Sequence, residues 1–244
     1  MHKPLDYIGF GNVLLQLVNY LSIHGIDAPV HEDLKNFERG NAFDFSVNMQ
    51  GDDGSPNIPG DTFLNKNSKI LNKIMKPTES LLSLCKNVEG YVGIHIRCGN
   101  SMPDCKGLAS NDDWFTTDKS IEKFHKIIEE TNSKIFLISD SLLVKKMFKE
   151  RWGDRIEMYD TDITLSCAPG TCGGVKQTPE SLMQTYAEWY TLSQCSVIVT
   201  TSGPGYNDIN LGMGVSTFGS TSAAYGEKAW HVVTPDGRLL TPSH

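Results

Sequence analysis

The chain has 244 residues, of which 39% are hydrophobic and 21% charged, and its formal net charge is −7 at pH 7. This length allows one large α/β domain or two small lobes that share a cleft, and the composition excludes a disordered or fibrous protein. The negative net charge argues against broad binding to nucleic acids or anionic membranes, because both require a dominant basic field.

The N-terminal part of the chain carries helical patterns separated by loop-like stretches. Apolar residues at helical spacing predict helices over 13–21, 68–76 and 79–85. A short strand is predicted at 26–31, and Gly, Pro and Asp residues predict a loop over 41–59.

From residue 91 onward, β-rich apolar runs alternate with helical patterns. Strands are predicted at 91–96, 134–138, 155–159 and 196–200, helices at 118–130, 142–152 and 179–193, and Gly-rich loops over 160–174 and after 200. Strands separated by helices of this length predict a parallel sheet covered on both faces. The change of pattern at Gly90 places a lobe boundary there, between residues 1–88 and residues 89–244.

The first candidate ligand-binding loop is Gly9-Phe10-Gly11-Asn12, directly before the first predicted helix. Gly9 and Gly11 let the backbone approach a ligand, and the N-terminus of the following helix presents free N–H groups to an anion. The alternative is a tight turn with a purely structural role. The third glycine of a dinucleotide fingerprint is missing, which argues against a nucleotide-dependent oxidoreductase.

The second candidate loop runs from His95 to Asn100, at the exit of the predicted strand 91–96. Arg97 offers a planar fork of N–H donors that suits phosphate oxygens. Alternation along the strand puts His95 and Arg97 on one face, directed into the crevice at the carboxyl ends of the strands. The alternative is a structural pair between Arg97 and a carboxylate.

The third candidate loop follows the predicted strand 196–200 and begins with Thr200, Thr201, Ser202 and Gly203. Hydroxyls and backbone amides at a strand-to-helix junction hold phosphate well, although a Gly-rich turn chosen for shape has the same composition. Asp140 follows another predicted strand, where it would accept hydrogen bonds from a ribose or a base edge, or belong to a helix cap.

The three loops together suit a diphosphate that is held without a metal or other cofactor. Acidic pairs at 52–53 and 160–162 do not converge on a metal site, and the six cysteines lack the paired spacing of a zinc site. Whether any cysteines form disulfides stays open. Asp104, Asp112 and Asp113 follow Arg97 closely enough to be candidates for a general base, or they are solvated loop acids.

Several of these segments resemble motifs of known fucosyltransferases. Residues 91–97 resemble the H-x-R motif of the α1,2-, α1,6- and protein O-fucosyltransferases, and residues 9–16 resemble the G-x-G-N-Q loop near the start of their N-terminal lobe. Residues 187–193, 197–202 and 211–212 resemble the A-E-x-Y-x-L-S, V-T-S and L-G signature of plant xyloglucan fucosyltransferases.

This resemblance implies a GT-B fold, with two Rossmann-like lobes that each contain a parallel sheet and with the N-terminal lobe reduced in this chain. It also implies an inverting, metal-independent glycosyltransferase. In such an enzyme Arg97 would contact the diphosphate of the donor, Asn12 would line the catalytic cleft, and Thr201 and Ser202 would hold phosphate. Asn100 stands where the family motif H-x-R-x-x-D has its carboxylate.

The expected function is transfer of a sugar from a nucleotide-sugar donor, GDP-fucose in the favoured case, to a hydroxyl of a glycan acceptor. The alternatives are the same fold with another donor such as UDP-xylose, and a non-enzymatic carbohydrate- or nucleotide-binding protein. No apolar run approaches the ~20 residues of a membrane span. We expect a soluble, cytoplasmic enzyme of bacterial or viral type, or a protein of the secretory-pathway lumen if the chain is a trimmed form.

Overall fold

The computed structural model describes residues 14, 17–18, 21, 43–45, 63–98, 116–160, 179–203 and 215–241. Leu14, Leu17, Val18 and Leu21 are helical. The other helices of this part are α1 (Phe63–Ile74), α2 (Glu79–Leu82), α3 (Asp118–Glu130), α4 (Leu142–Trp152), α5 (Pro179–Ser193) and α6 (Thr217–Gly226). The strands are β1 (Phe43–Phe45), β2 (Met75–Pro77), β3 (Val92–Ile96), β4 (Ile135–Ser139), β5 (Ile156–Glu157), β6 (Val197–Thr201), β7 (Ala229–Val233) and β8 (Leu239–Leu240).

The main sheet has six strands in the order β5-β4-β3-β6-β7-β8. The strands from β5 to β7 are parallel, and β8 pairs antiparallel with β7. Helices α3 and α4 share one apolar core with one face of the sheet, whereas α5 and α6 pack on the other face. A mostly parallel sheet covered on both faces confirms the predicted α/β class.

The register of the central strands decides which residues meet at the carboxyl edge of the sheet. His95 of β3 lies opposite Thr200 of β6 and Ile138 of β4, and Ile96 lies opposite Ser139. The strands β3 and β4 are buried along their whole length, which explains their continuous apolar sequences. The residues that follow β3, β4 and β6 therefore gather at one edge, where α/β sheets bind their ligands.

The N-terminal part adds a smaller layer to the face that α5 and α6 cover. Leu14 and Leu71 join Trp189 of α5 and Tyr225 of α6 in one core. Within the described residues before β3, the strands β1 and β2 form a two-stranded antiparallel sheet, which fits a reduced N-terminal lobe. The boundary between 1–88 and 89–244 stays a prediction, and residues from both sides of it share this core.

Two predictions for the N-terminal part are wrong at particular residues. Residues 43–45, placed in a loop, form β1, because Phe43 and Phe45 flank Asp44 in a strand-like alternation that pairs with β2. The helix predicted over 68–76 begins earlier, at Phe63, and ends at Ile74, where Met75 turns into β2. The strand predicted at 26–31 lies outside the described residues, as do 161–174 of the predicted loop.

The sequence after 200 predicts a Gly-rich loop at a strand-to-helix junction, without bounds for helix α6 and without the strands β7 and β8. The helix sequence TFGSTSAAYG is rich in residues of low helix propensity. Its small side chains instead allow a close approach to the sheet. A Cβ on Gly219 would lie 2.5 Å from Oγ1 of Thr200 and 3.1 Å from Nδ1 of His95. Tertiary packing, not local propensity, therefore makes this segment helical.

Across the described residues, no helix combines the length and the apolar character that crossing a lipid bilayer would require.

Candidate functional site

Arg97 is the first residue after β3, and hydrogen bonds fix both its backbone and its side chain. Its N–H donates to Oγ1 of Thr201 at 3.0 Å, and its carbonyl accepts from the hydroxyl of Thr116 at 2.5 Å. Its Nη1 donates to Oδ2 of Asp140 at 2.8 Å. The Arg97 side chain stays 16% exposed, against 4% for Asp140. The structure thus contains the arginine–carboxylate pair considered as an alternative, and the Arg97 side chain is partly exposed.

Asp140 uses both carboxylate oxygens at the exits of β3 and β4. Oδ2 accepts from Arg97, and Oδ1 accepts from the N–H of Cys98 at 2.7 Å. The neighbouring Ser139 hydroxyl donates to the carbonyl of Ile96 at 2.8 Å, and Ser141 supplies the N-cap of α4. The contact of Asp140 with a ribose or a base edge stays a prediction, and in the structure both of its oxygens accept from protein donors.

The hydroxyls at the end of β6 are buried and differ in their partners. Oγ1 of Thr200 lies 3.0 Å from Nδ1 of His95, and Oγ1 of Thr201 accepts from the backbone of Arg97. Ser202 is fully buried, and its Oγ has no hydrogen-bond partner within the described part of the chain. Because an unsatisfied buried hydroxyl is unfavourable, Ser202 is the member of this group best suited to receive a ligand oxygen. Gly203 is buried beside it.

His95 packs between the sheet and α6 instead of facing the crevice. Its ring stacks on Phe218, with 5.0 Å between ring centroids, and only 4% of the residue is exposed. Burial, together with the smaller effect of the positive charge of Arg97, lowers the pKa of His95 to about 3. His95 is therefore a neutral imidazole at neutral pH, and a base of such low pKa is poorly matched to proton abstraction there. His95 and Arg97 were predicted to share a face of the strand, but the His95 ring packs against Phe218 of α6 whereas the Arg97 side chain pairs with Asp140.

A second charged pair, Glu188 and Lys145, lies near this edge and was missed as a pair by sequence reasoning. Oε1 of Glu188 on α5 is 3.8 Å from Nζ of Lys145 on α4, and the side chains are 15% and 6% exposed. These helices cover opposite faces of the sheet, and β5 pairs only with the first two residues of β4. The pair therefore connects a helix on one face of the sheet with a helix on the other face, and local sequence gives no signal for this contact.

Burial raises the pKa of Glu188 to about 7, and the charge of Lys145 opposes this rise. One turn earlier on α5, the Nε2 atom of Gln184 is buried and has no hydrogen-bond partner among the described residues. Glu188 was quoted in the motif 187–193 but was not assigned a role. Gln184 and Glu188 are four residues apart, so their polar side chains lie on the same face of α5.

Replacing Glu188 with glutamine is expected to make the stability difference from wild type depend on pH. The folded-state pKa, about 7, exceeds the ordinary value of 4.5, so wild type loses stability as pH rises through this interval. Glutamine does not titrate, so the unfolding free energy of the variant relative to wild type should rise by about 3 kcal/mol between pH 4.5 and pH 8. Urea unfolding at both pH values measures this change.

Ser193→Ala on the same helix is the control, because it removes a hydroxyl that does not titrate, the donor to the carbonyl of Tyr190. Its stability difference from wild type should be the same at both pH values. An equally constant difference for Glu188→Gln would show that Glu188 ionises as it does in water.

Half of the predicted site residues fall outside the part of the chain that the structure describes. These are Gly9, Gly11, Asn12, Asn100, Asp104, Asp112 and Asp113. The described ones converge at the ends of β3, β4 and β6: His95, Arg97, Asp140, Thr200, Thr201, Ser202 and Gly203.

Within the described ranges, no group of three or more His, Cys, Asp or Glu side chains is arranged to hold a metal ion. Cys85 and Cys195 carry free thiols. In the described crevice, the charged pair of Arg97 and Asp140 thus lies among hydroxyls and backbone amides.

No protein-family model matches the chain, and no curated protein matches it. Among solved structures, it is similar to the NodZ α-1,6-fucosyltransferase soaked with GDP-fucose, at 12% identity and a TM-score of 0.45, over 73% of this chain and 53% of that one. The NodZ structure co-crystallised with GDP gives 10% identity and a TM-score of 0.44, over 74% and 53%. Fucosyltransferase NodZ from Bradyrhizobium gives 12% and 0.41, over 72% and 50%. The chain spans about half the length of these solved structures.

Proposed function

We propose that the protein is a glycosyltransferase that moves a sugar, fucose in the favoured case, from a nucleoside diphosphate donor to a hydroxyl of a glycan. The observation that carries this proposal is the geometry of Arg97. Asp140 anchors the Arg97 guanidinium at the carboxyl edge of a parallel sheet, and the side chain as a whole stays 16% exposed. A planar fork of N–H donors in this position suits the oxygens of a diphosphate, and the buried hydroxyl of Ser202 lies at the end of the adjacent β6.

The proposed reaction is a single displacement with inversion at the anomeric carbon. The acceptor hydroxyl forms a new bond to this carbon while the bond to the diphosphate oxygen breaks and its electron pair stays on the leaving nucleotide. Arg97 and nearby backbone amides stabilise the negative charge that develops there, so the proposal requires no metal ion. The acceptor proton passes to a general base, for which Asp104, Asp112 and Asp113 are the candidates.

The donor is proposed to lie between the end of the sheet and the N-terminal lobe. Gly9, Gly11 and Asn12 would approach it from that lobe, and Asn100 would approach it from the segment after Arg97. Among the hydroxyls, Ser202 is the direct phosphate contact that we favour, while Thr200 and Thr201 hold His95 and the Arg97 backbone.

A nucleotide panel tests the proposed function directly. We expect GDP or UDP to stabilise the protein against thermal unfolding, by about 2.7 kcal/mol at a concentration 100-fold above Kd, and CDP and ADP to do less. Turnover is then measured as the release of nucleotide in the presence of glycan acceptors, first with GDP-fucose as the donor and then with UDP-xylose.

The outcomes of this panel separate the alternatives. Turnover of UDP-xylose without turnover of GDP-fucose would show that the donor is not GDP-fucose, although the protein would still be a glycosyltransferase. Binding of a nucleotide sugar without any turnover would favour a carbohydrate- or nucleotide-binding protein. Absence of a shift with every nucleotide would contradict a nucleotide-sugar enzyme.

A further inference from the structure

We infer that Asp140 is a positioning residue for Arg97, and that its carboxylate helps to set the direction in which the guanidinium faces the donor diphosphate. The inference rests on the proposed function for its kinetic consequence. The orientation itself follows from contacts between described residues and is testable without turnover.

The two oxygens of Asp140 hold two parts of the segment that leaves β3. Oδ2 accepts from Nη1 of Arg97 at 2.8 Å, and Oδ1 accepts from the backbone N–H of Cys98 at 2.7 Å. One rigid carboxylate thus relates the guanidinium to the backbone one residue later. A charge-assisted bond of this length is stronger than one between neutral groups, so it restrains the side chain effectively.

Asp140 occupies this position because of the strand register. Ile96, the last residue of β3, lies opposite Ser139, the last residue of β4, so the residues that follow each strand meet side by side. The Ser139 hydroxyl reinforces the junction by donating to the carbonyl of Ile96 at 2.8 Å. The carboxylate therefore sits on a buried junction of two strands, which fixes its own position.

Two further contacts of Arg97 restrain its backbone, while Asp140 holds its side chain at Nη1. Thr201 accepts from the Arg97 N–H, and Thr116 donates to the Arg97 carbonyl. A nearby carboxylate reduces the net positive charge that an arginine offers to phosphate. In return, the carboxylate fixes the direction of the N–H groups of Arg97 before negative charge develops on the leaving group.

The kinetic test uses Asp140→Ala and Asp140→Asn. Misplacement of a charge-stabilising group by about 1 Å can lower the rate ~100-fold, so we expect Asp140→Ala to lower kcat by about that factor. The KM for the donor should change much less. Asp140→Asn keeps the volume and one acceptor oxygen, so its loss of kcat should be smaller, and it keeps the test available if the alanine variant unfolds.

A double-mutant cycle distinguishes positioning from a structural role. If Asp140 acts through Arg97, Asp140→Ala should lower kcat little further once Arg97 is already alanine. Equal losses in the two backgrounds would overturn the inference. Ser141→Ala is the matched control: it removes the adjacent buried N-cap of α4, so the midpoint of thermal unfolding should fall while kcat of the folded enzyme stays unchanged.

Nitrogen-15 NMR of the Arg97 guanidinium supplies a readout that does not depend on activity. In wild type we expect slow rotation and a restrained signal, and in Asp140→Ala a signal averaged like that of an exposed arginine. Wild type could turn over no nucleotide sugar while Asp140→Ala still shows the averaged guanidinium signal. In that case the proposed function fails, and the positioning of Arg97 by Asp140 stands. An unchanged guanidinium signal in Asp140→Ala overturns the inference, whatever the turnover.

Discussion

Arg97→Ala is expected to lower kcat of sugar transfer by about 10²–10³-fold, the usual effect of removing one fixed donor from the site where negative charge develops. The effect should fall on kcat because the charge on the leaving diphosphate grows only as the bond breaks. Arg97→Lys keeps the charge but loses the planar fork, so its kcat should lie between those of wild type and alanine. Nucleotide release from the donor, measured with saturating acceptor, gives these values.

The alanine variant also removes the cation that pairs with the buried Asp140, which is unfavourable by about 3–5 kcal/mol. Turnover is therefore compared at a temperature well below the unfolding midpoint of each variant. Arg151→Ala is the control, because this arginine forms an exposed pair with Glu129, with side chains 51% and 50% exposed. Its turnover should match wild type. Retained turnover in Arg97→Ala would remove Arg97 from the mechanism.

Trp189→Ala is expected to destabilise the protein by about 3–5 kcal/mol, the range for truncating a buried large aromatic residue. Trp189 is fully buried in the core that α5, α6 and the N-terminal part share. Its ring packs on Tyr225, with 5.0 Å between centroids, and its Nε1 donates to Oγ1 of Thr221 at 3.1 Å. The variant loses both the packing and the hydrogen bond, and urea unfolding measures the loss.

Trp189→Phe separates these two contributions. Phenylalanine keeps an aromatic ring in the core, so its loss of stability should be well under half that of the alanine variant. If alanine lowered the unfolding free energy by less than about 1 kcal/mol, this core would not be close-packed in solution.

The helices around the main sheet could be predicted because their signals are local. The predicted helices 118–130, 142–152 and 179–193 coincide with α3, α4 and α5. The side chains of Thr117 and Ser141 cap the first two, and such caps are readable from the sequence. The central strands are displaced by about one residue from their predicted ranges, since a buried apolar run does not mark its own ends.

The side-chain pairings at the site could not be predicted, because they depend on register and on layers. Arg97 and Asp140 meet only because Ile96 lies opposite Ser139, and a one-residue slip would separate them. Glu188 and Lys145 meet because two helices on opposite faces approach each other beside a very short β5. The burial that raises the pKa of Glu188 is likewise a property of packing.

The bond from the Thr116 hydroxyl to the Arg97 carbonyl brings together the two points at which the chain leaves β3 and returns toward α3. This hydrogen bond holds the two points together, and its geometry does not specify how many residues connect them. For a flexible connection, each doubling of length adds only about 0.6 kcal/mol of closure entropy. Changes in the number of residues between positions 98 and 116 that keep Asp104, Asp112 and Asp113 should therefore leave the main sheet intact.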